Sequence, residues 1–176
     1  EKIIEDIQGG GTIARAELKG IIDELPPLVI VGKDSNGLYH VVKTAKVTAA
    51  VAAAATAVQV AKGHLFKVGE AITVGGALKG ASDLIAAIDK SNASYDTITV
   101  AGAIGAAAIG DVLILANVKA AANAAKFKYV PEAITMNKVD VTVANQQSGL
   151  LVRGTVNESV MPYPIDKDLK ATLGFI

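Results

Sequence analysis

The 176-residue chain has no cysteine and no tryptophan. Without cysteine there is no disulfide framework, no thiolate metal site and no thiol nucleophile. Only 4% of the residues are aromatic, so side chains that could stack on sugars or bases are scarce. Net charge is missing too: 17 basic residues balance 17 acidic ones, and like charges never run for more than a few positions. A chain with no cationic patch lacks the electrostatic footprint for nucleic acid or an anionic membrane. It also does little to oppose self-association. Long apolar runs are absent. The longest, Val47 to Ala61, is mostly alanine broken by Thr48, Thr56 and Gln59, short of the roughly 20 residues of a spanning helix. The N-terminus shows no cationic lead followed by an apolar stretch, and the expectation is a soluble protein.

What is abundant is aliphatic. Hydrophobic residues make up 51% of the chain, but alanine buries little area, so the core has to come from Val, Ile and Leu. A chain of this length forms one domain or two small ones and can bury roughly 70% of its unfolded surface. The aliphatics fall into a pattern written twice. Ala57-Val-Gln-Val60 precedes Phe66-Lys-Val-Gly-Glu-Ala-Ile-Thr-Val74; Thr97-Ile-Thr-Val100 precedes Ile109-Gly-Asp-Val-Leu-Ile-Leu115. Period-two alternation reads as strands with one buried face. Gly69 and Gly110 suit the sharp bends, and Glu70 and Asp111 suit hydrogen bonding to the turn backbone. The pattern predicts a small, pseudo-symmetric antiparallel β-barrel or sandwich.

Around this module, Ile3, Ile4 and Ile7 fall at helical spacing, and Gly9-Gly10-Gly11 reads as a flexible joint. No Gly-Lys-Ser/Thr follows to make it a phosphate loop. Thr12 is placed to cap a short helix through Lys19, with Gly20 as its stop, and Pro26-Pro27 forces extension. Residues 1–27 therefore read as an arm outside the core. Leu28–Val31 and Leu38–Val42 flank an Asn36-Gly37 hairpin turn. Asn117 to Lys126 reads as a short helix or linker. Strands are expected at Ala133–Met136, Val139–Val143 and Leu150–Val156, then a last helix capped by Asp166 and stopped by Gly174.

Chemistry-bearing patterns are thin. The Gly-rich stretch Thr97 to Gly105 runs into Gly110-Asp111 and another strand, leaving no room for the helix of a dinucleotide site. The loop Asp89–Asp96 lacks the ligand spacing of a calcium loop. His40 and His64 have no Ser, Asp or His at ligand spacing. The expectation is no enzyme: no catalytic residues, no cofactor and no metal. Arg15 and Arg153 are the only arginines. Their rigid forks suit fixed carboxylate or backbone partners, making Arg153 a candidate for a structural or subunit salt bridge or for a simple exposed position.

The run Leu150-Leu-Val-Arg-Gly-Thr-Val-Asn-Glu-Ser with the ending Asp168-Leu-Lys-Ala-Thr-Leu-Gly-Phe-Ile176 resembles the ending of capsid decoration proteins of tailed bacteriophages. Ile30 to Val42 is similar to the hairpin that opens such domains. Lys62-Gly-His-Leu-Phe-Lys-Val-Gly-Glu70 and Ala87 to Val100 look like phage head fibre proteins. Glu1–Gln8 lies outside the resemblance, and Phe175 replaces the commoner aliphatic of the closing strand. The resemblance implies a mainly β fold: a decoration-type barrel or sandwich domain (28–46 plus 117–176), an inserted β module (47–116), an extended N-terminal arm (1–27) and a short C-terminal helix. It implies a virion location on the capsid surface, the major capsid protein as partner, and a homotrimer that binds neither nucleic acid nor membrane. Ile13, Arg15, Leu18, Ile21 and Arg153 are then the candidate capsid or subunit contacts. The alternative is a host-surface or carbohydrate-binding module on a phage fibre, with a glycan as partner.

Overall fold

A computed structural model describes residues 2–75, 80–121 and 124–173. In chain order the strands are β1 (Lys2–Asp6), β2 (Gly11–Ile13), β3 (Glu24–Leu25), β4 (Ile30–Lys33) and β5 (Tyr39–Val41). Next come β6 (Thr44–Lys46), β7 (Ala57–Val60), β8 (Ala71–Val74), β9 (Ser82–Asp89), β10 (Asp96–Val100) and β11 (Val112–Ala116). The last are β12 (Ala133–Thr135), β13 (Val139–Asp140), β14 (Gln146–Ser148) and β15 (Leu150–Thr155), followed by helix α1 (Lys167–Leu173). The protein is mainly β; among the described residues there are three sheets, one short C-terminal α-helix and no closed barrel. Among the described residues no helix is long and apolar enough to cross a membrane.

The chain divides into two compact units, 1–42 with 129–176, and 43–128. In the first, a seven-stranded sheet has the order β1-β15-β12-β4-β5-β2-β14, and β3 pairs with β13. All these pairings are antiparallel except β2 with β5, which meet in parallel at Ile13 and Tyr39. The segment expected as an arm is thus part of the sheet. Strand pairing, not the helical spacing of Ile3, Ile4 and Ile7, governs this segment: β1 pairs with β15, and β2 lies between β5 and β14. The glycine triplet is a built turn. Gly9 and Gly10 take positive φ, Gly10 N–H donates to Ile7 O, and Gly11 packs so closely on Leu150 and Tyr39 that no side chain fits. The helix expected from Thr12 is reduced to one turn, with Leu18 and Lys19 N–H both donating to Arg15 O. Thr12 itself is in β2. The Asn-Gly hairpin between β4 and β5 is as expected: Asp34 Oδ1 accepts from Asn36 and Leu38 N–H, and Gly37 has φ +86°. At the C-terminus Asp166 Oδ1 accepts from Leu169 N–H, capping α1. Gly174 and Phe175 lie outside the described residues.

The second unit is wider than the predicted module 47–116. β6 pairs with β11, and the stretch after β11 folds back through an Ala116–Phe127 bridge and a Lys128 N–H bond to Leu115 O. These pairings pull residues 43–46 and 117–128 into the unit. The described part of 117–126 is irregular, not helical; Ala120 bridges Ser82 instead.

The written repeat is a structural repeat. The sheet order is β6-β11-β8-β9-β10-β7. Val58 faces Ile98 across β7 and β10, and Thr73 faces Ile114 across β8 and β11, so a local two-fold relates the copies. Val47 N–H donates to Asp111 O and Gly110 N–H to Val47 O. In the other copy Ile85 N–H donates to Glu70 O and Gly69 N–H to Ile85 O. Glu70 Oε2 accepts from Lys67 N–H at 2.8 Å, and Asp111 Oδ2 from Ala108 N–H at 2.8 Å. The two turns are built alike, each with its glycine at positive φ. An isolated bridge between Val47 and Val60 ties the ends of the sheet together, so it curls without closing. Its interior is aliphatic: Ile72, Leu113, Ile114 and Ile98 are fully buried.

Candidate functional site

Three places in the fold bring chemistry together. The first lies within unit 1. The β4–β5 hairpin carries Asp34 at its turn and His40 on β5; the turn after β2 supplies Glu17, and Tyr129 begins the return chain. His40 Nδ1 lies 3.4 Å from Glu17 Oε2 and its Nε2 lies 3.2 Å from Asp34 Oδ2. The Tyr129 hydroxyl donates to Glu17 Oε1 at 2.7 Å, and the Tyr129 and His40 rings stack at 4.1 Å. Burial pushes the Asp34 carboxyl up, but hydrogen bonds from Leu38, His40 and Asn36 outweigh this and leave it below the usual range. The histidine therefore does have carboxylate neighbours, contrary to the reading of its sequence surroundings. Asp34 is six positions away across a hairpin, and Glu17 and Tyr129 reach it only through the sheet. The groups engage one another, which suits a clamp on the hairpin rather than acid–base work on a substrate.

The second place is the interior of unit 2. Lys43 is fully buried, with its Nζ 2.5 Å from Glu70 Oε1. Lys62 Nζ donates to Asp96 Oδ1 at 2.7 Å, and the ring of His64 lies beside the same carboxylate, Nε2 to Oδ2 at 3.3 Å. Phe66 N–H donates to His64 Nδ1 at 3.2 Å, so the ring proton is on Nε2, and that atom's geometry toward Asp96 falls short of a hydrogen bond. Burial holds the His64 pKa below its ordinary value. Asp96 opposes this, while Lys90, Lys62 and Lys43 add to it.

The third is an open cleft of about 350 Å³ on unit 2, floored by Ala71, Leu115 and Ala116 and walled by Leu84 and Val118. Glu70, Lys119 and Lys128 stand at its edge. Both Glu70 oxygens are engaged inward, one by Lys43 and one by Lys67 N–H. Lys119 Nζ lies 2.8 Å from Asp83 Oδ2, and this bond holds the Asp83 carboxyl below its usual range. The cleft is therefore an apolar receptacle with a polar rim, fitted to hold an aliphatic group. Among the described residues, no three His, Asp or Glu side chains are placed to hold a metal ion.

No family model, characterised protein or solved structure matches this chain.

The candidate contact residues do not form one surface. Ile13 and Leu18 are buried within unit 1, and Ile21 is half-buried. The Arg15 guanidinium is committed to backbone: Nε donates to Val141 O, Nη2 to Thr142 O and Nη1 to Val143 O. Arg153 is exposed on β15 opposite Glu5. The sequence reading missed Glu17, Asp34 and Tyr129 as partners of His40, Asp96 beside His64 with Lys62 on the same carboxylate, and Leu84 and Val118 as cleft walls. The cleft carried no sequence signal: Lys46 matches Leu84 only through the β6–β11 and β8–β9 registers.

Proposed function

We propose that this chain is a structural virion protein, a capsid decoration or head fibre protein of a tailed phage. It binds the outside of the shell through the major capsid protein, as a homotrimer, and stabilises the shell or displays an outer module. The observation that carries the reading is the splice. A complete β unit, 43–128, interrupts another between Val42 and Tyr129, the arrangement expected of a base with a displayed module. The resemblance of Leu150–Thr155 and of the 30–42 hairpin to decoration proteins supports the same reading. With Ile13 and Leu18 buried, the contact surface falls to exposed aliphatics of unit 1, among them Val130, Val143 and Val160. The glycan alternative is weakened by the aromatics: Tyr39 and Phe66 are buried, and Tyr129 stacks on His40.

The test is the native mass of the full chain, together with its distribution on a density gradient of purified virions of the phage that encodes it. A trimer that co-migrates with filled capsids is expected. A monomer that stays at the top of the gradient overturns the reading.

A further inference from the structure

The two copies of the repeat hold their connecting loops differently. In the second copy, the loop between β10 and β11 is tied by backbone. Ala107 N–H donates to Val51 O at 3.0 Å, and Val51 N–H donates to Ala107 O at 2.8 Å. In the first copy, the residue at the same distance before the turn glycine is Phe66, in the loop between β7 and β8. Its N–H donates at 3.2 Å to Nδ1 of the His64 ring. The neighbouring bonds set this match, since Lys67 N–H goes to Glu70 as Ala108 N–H goes to Asp111. A titratable ring nitrogen thus stands where the other copy uses a peptide carbonyl.

The first loop is buried, yet few bonds hold it. His64, Leu65 and Phe66 all lie inside. Among the described residues, the backbone of 62–66 makes no backbone–backbone hydrogen bond. Side chains attach it instead: the packed trio, and Lys62, whose Nζ donates to Asp96 Oδ1 and to Lys90 O. A second proton on His64 goes to Nδ1, the atom that accepts from Phe66 N–H. It removes that bond, sets two N–H groups against each other and charges a ring shut away from water. Burial is the main force that keeps the ring neutral. Asp96 works against it, with one oxygen already held by Lys62, while Lys90, Lys62 and the Glu70-paired Lys43 work with it.

We infer that the 61–68 loop is an acid-operated latch: protonation of His64 Nδ1 releases it and bares Leu65 and Phe66, while the 101–109 loop of the other copy stays shut. The inference rests on unit 2 alone and not on the virion reading above. The released ring takes up the proton more readily than the buried one. The closed state is therefore favoured above the ordinary histidine value of 6.5, and below it the opening constant rises by at most about tenfold per pH unit. Raising the pH closes the latch again.

The test is hydrogen exchange of the full chain, read by mass spectrometry at pH 7 and pH 5 and corrected for the intrinsic pH dependence of exchange. Protection of 61–68 is expected to fall several-fold in acid, with that of 101–109 unchanged. In His64→Asn the side-chain oxygen accepts from Phe66 N–H without titrating, so 61–68 should become insensitive to pH. Equal loss in both loops overturns the latch, as does no loss in either, or an acid response that survives His64→Asn. The parent alone gives a second reading that does not depend on the variant folding. Followed by NMR, with His40→Gln to separate the two ring signals, His64 should titrate below 6.5. A ring that titrates at or above that value overturns the latch, because the closed loop then tolerates the charge.

Discussion

The Lys43–Glu70 pair offers a prediction that can be worked through. The lysine side chain is fully buried and the glutamate nearly so, with 2.5 Å between Nζ and Oε1. Glu70→Ala strands a buried ammonium, and breaking such a pair from one side costs about 3–5 kcal/mol. Lys43 keeps its other contacts, which favours the lower figure. Loss of the hydrogen bond from Lys67 N–H adds about 1 kcal/mol, for a total near 4 kcal/mol. The repeat provides the reference. Asp111→Ala removes the matching bond from Ala108 N–H without stranding that lysine, and should cost about 1 kcal/mol. A third variant, Lys43→Met with Glu70→Gln, removes both charges, keeps the volume and leaves an amide oxygen for Lys67 N–H. It should be neutral or stabilising, as such replacements often are. For a unit of this size each kcal/mol is about 4–8 °C, so Glu70→Ala should lower the unit 2 transition by about 15 °C or more. Thermal denaturation followed by hydrogen exchange of β8 and β11 amides reads it. The reasoning fails if Glu70→Ala costs no more than Asp111→Ala, or if the double variant is as unstable as Glu70→Ala.

Acid should loosen unit 2 through His64. Its folded pKa is depressed mainly by burial, so below the ordinary 6.5 the unfolded state binds the extra proton and stability falls as pH drops toward the folded value. His64→Gln should flatten that part of a urea-midpoint profile between pH 7 and 5, and an unchanged slope would refute the assignment. The depressed carboxyls of Asp83 and Asp34 act in a separate window, with stability present above their ordinary 3.8 and lost as pH falls further. Gly32→Ala should cost unit 1 about 1–3 kcal/mol in chemical denaturation, because the added carbon would run into Val130 O. Removing residues 43–128 and joining Val42 to Tyr129 through a short glycine linker should leave unit 1 folded. His40 and Tyr129 already stack at 4.1 Å, and β-sheet circular dichroism with a cooperative melt would show it.

The aliphatic runs at 57–60, 71–74, 97–100 and 112–115 marked the four strands, and the two Gly-acid pairs marked the turns; burial alternates in β7 and β10 as expected, whereas β8 and β11 are buried on both faces. Both are local: a period of two sets which face is buried, and only a glycine takes the bend cheaply. The Asn36-Gly37 hairpin and the Asp166 cap were legible for the same reason. The N-terminal strands were not. Helical spacing in Ile3, Ile4 and Ile7 and a glycine triplet suggested an arm, but whether a short segment becomes a strand depends on partners far along the chain, here β15 and β14. The clusters around His40 and His64 were equally hidden, because Glu17, Tyr129 and Asp96 are far away in sequence and come close only when each unit folds. The cleft belongs to the same class. Leucine at 84 reads as one more strand aliphatic until its register against Ala71, and the lysine in the matching place, show that it stands on the surface.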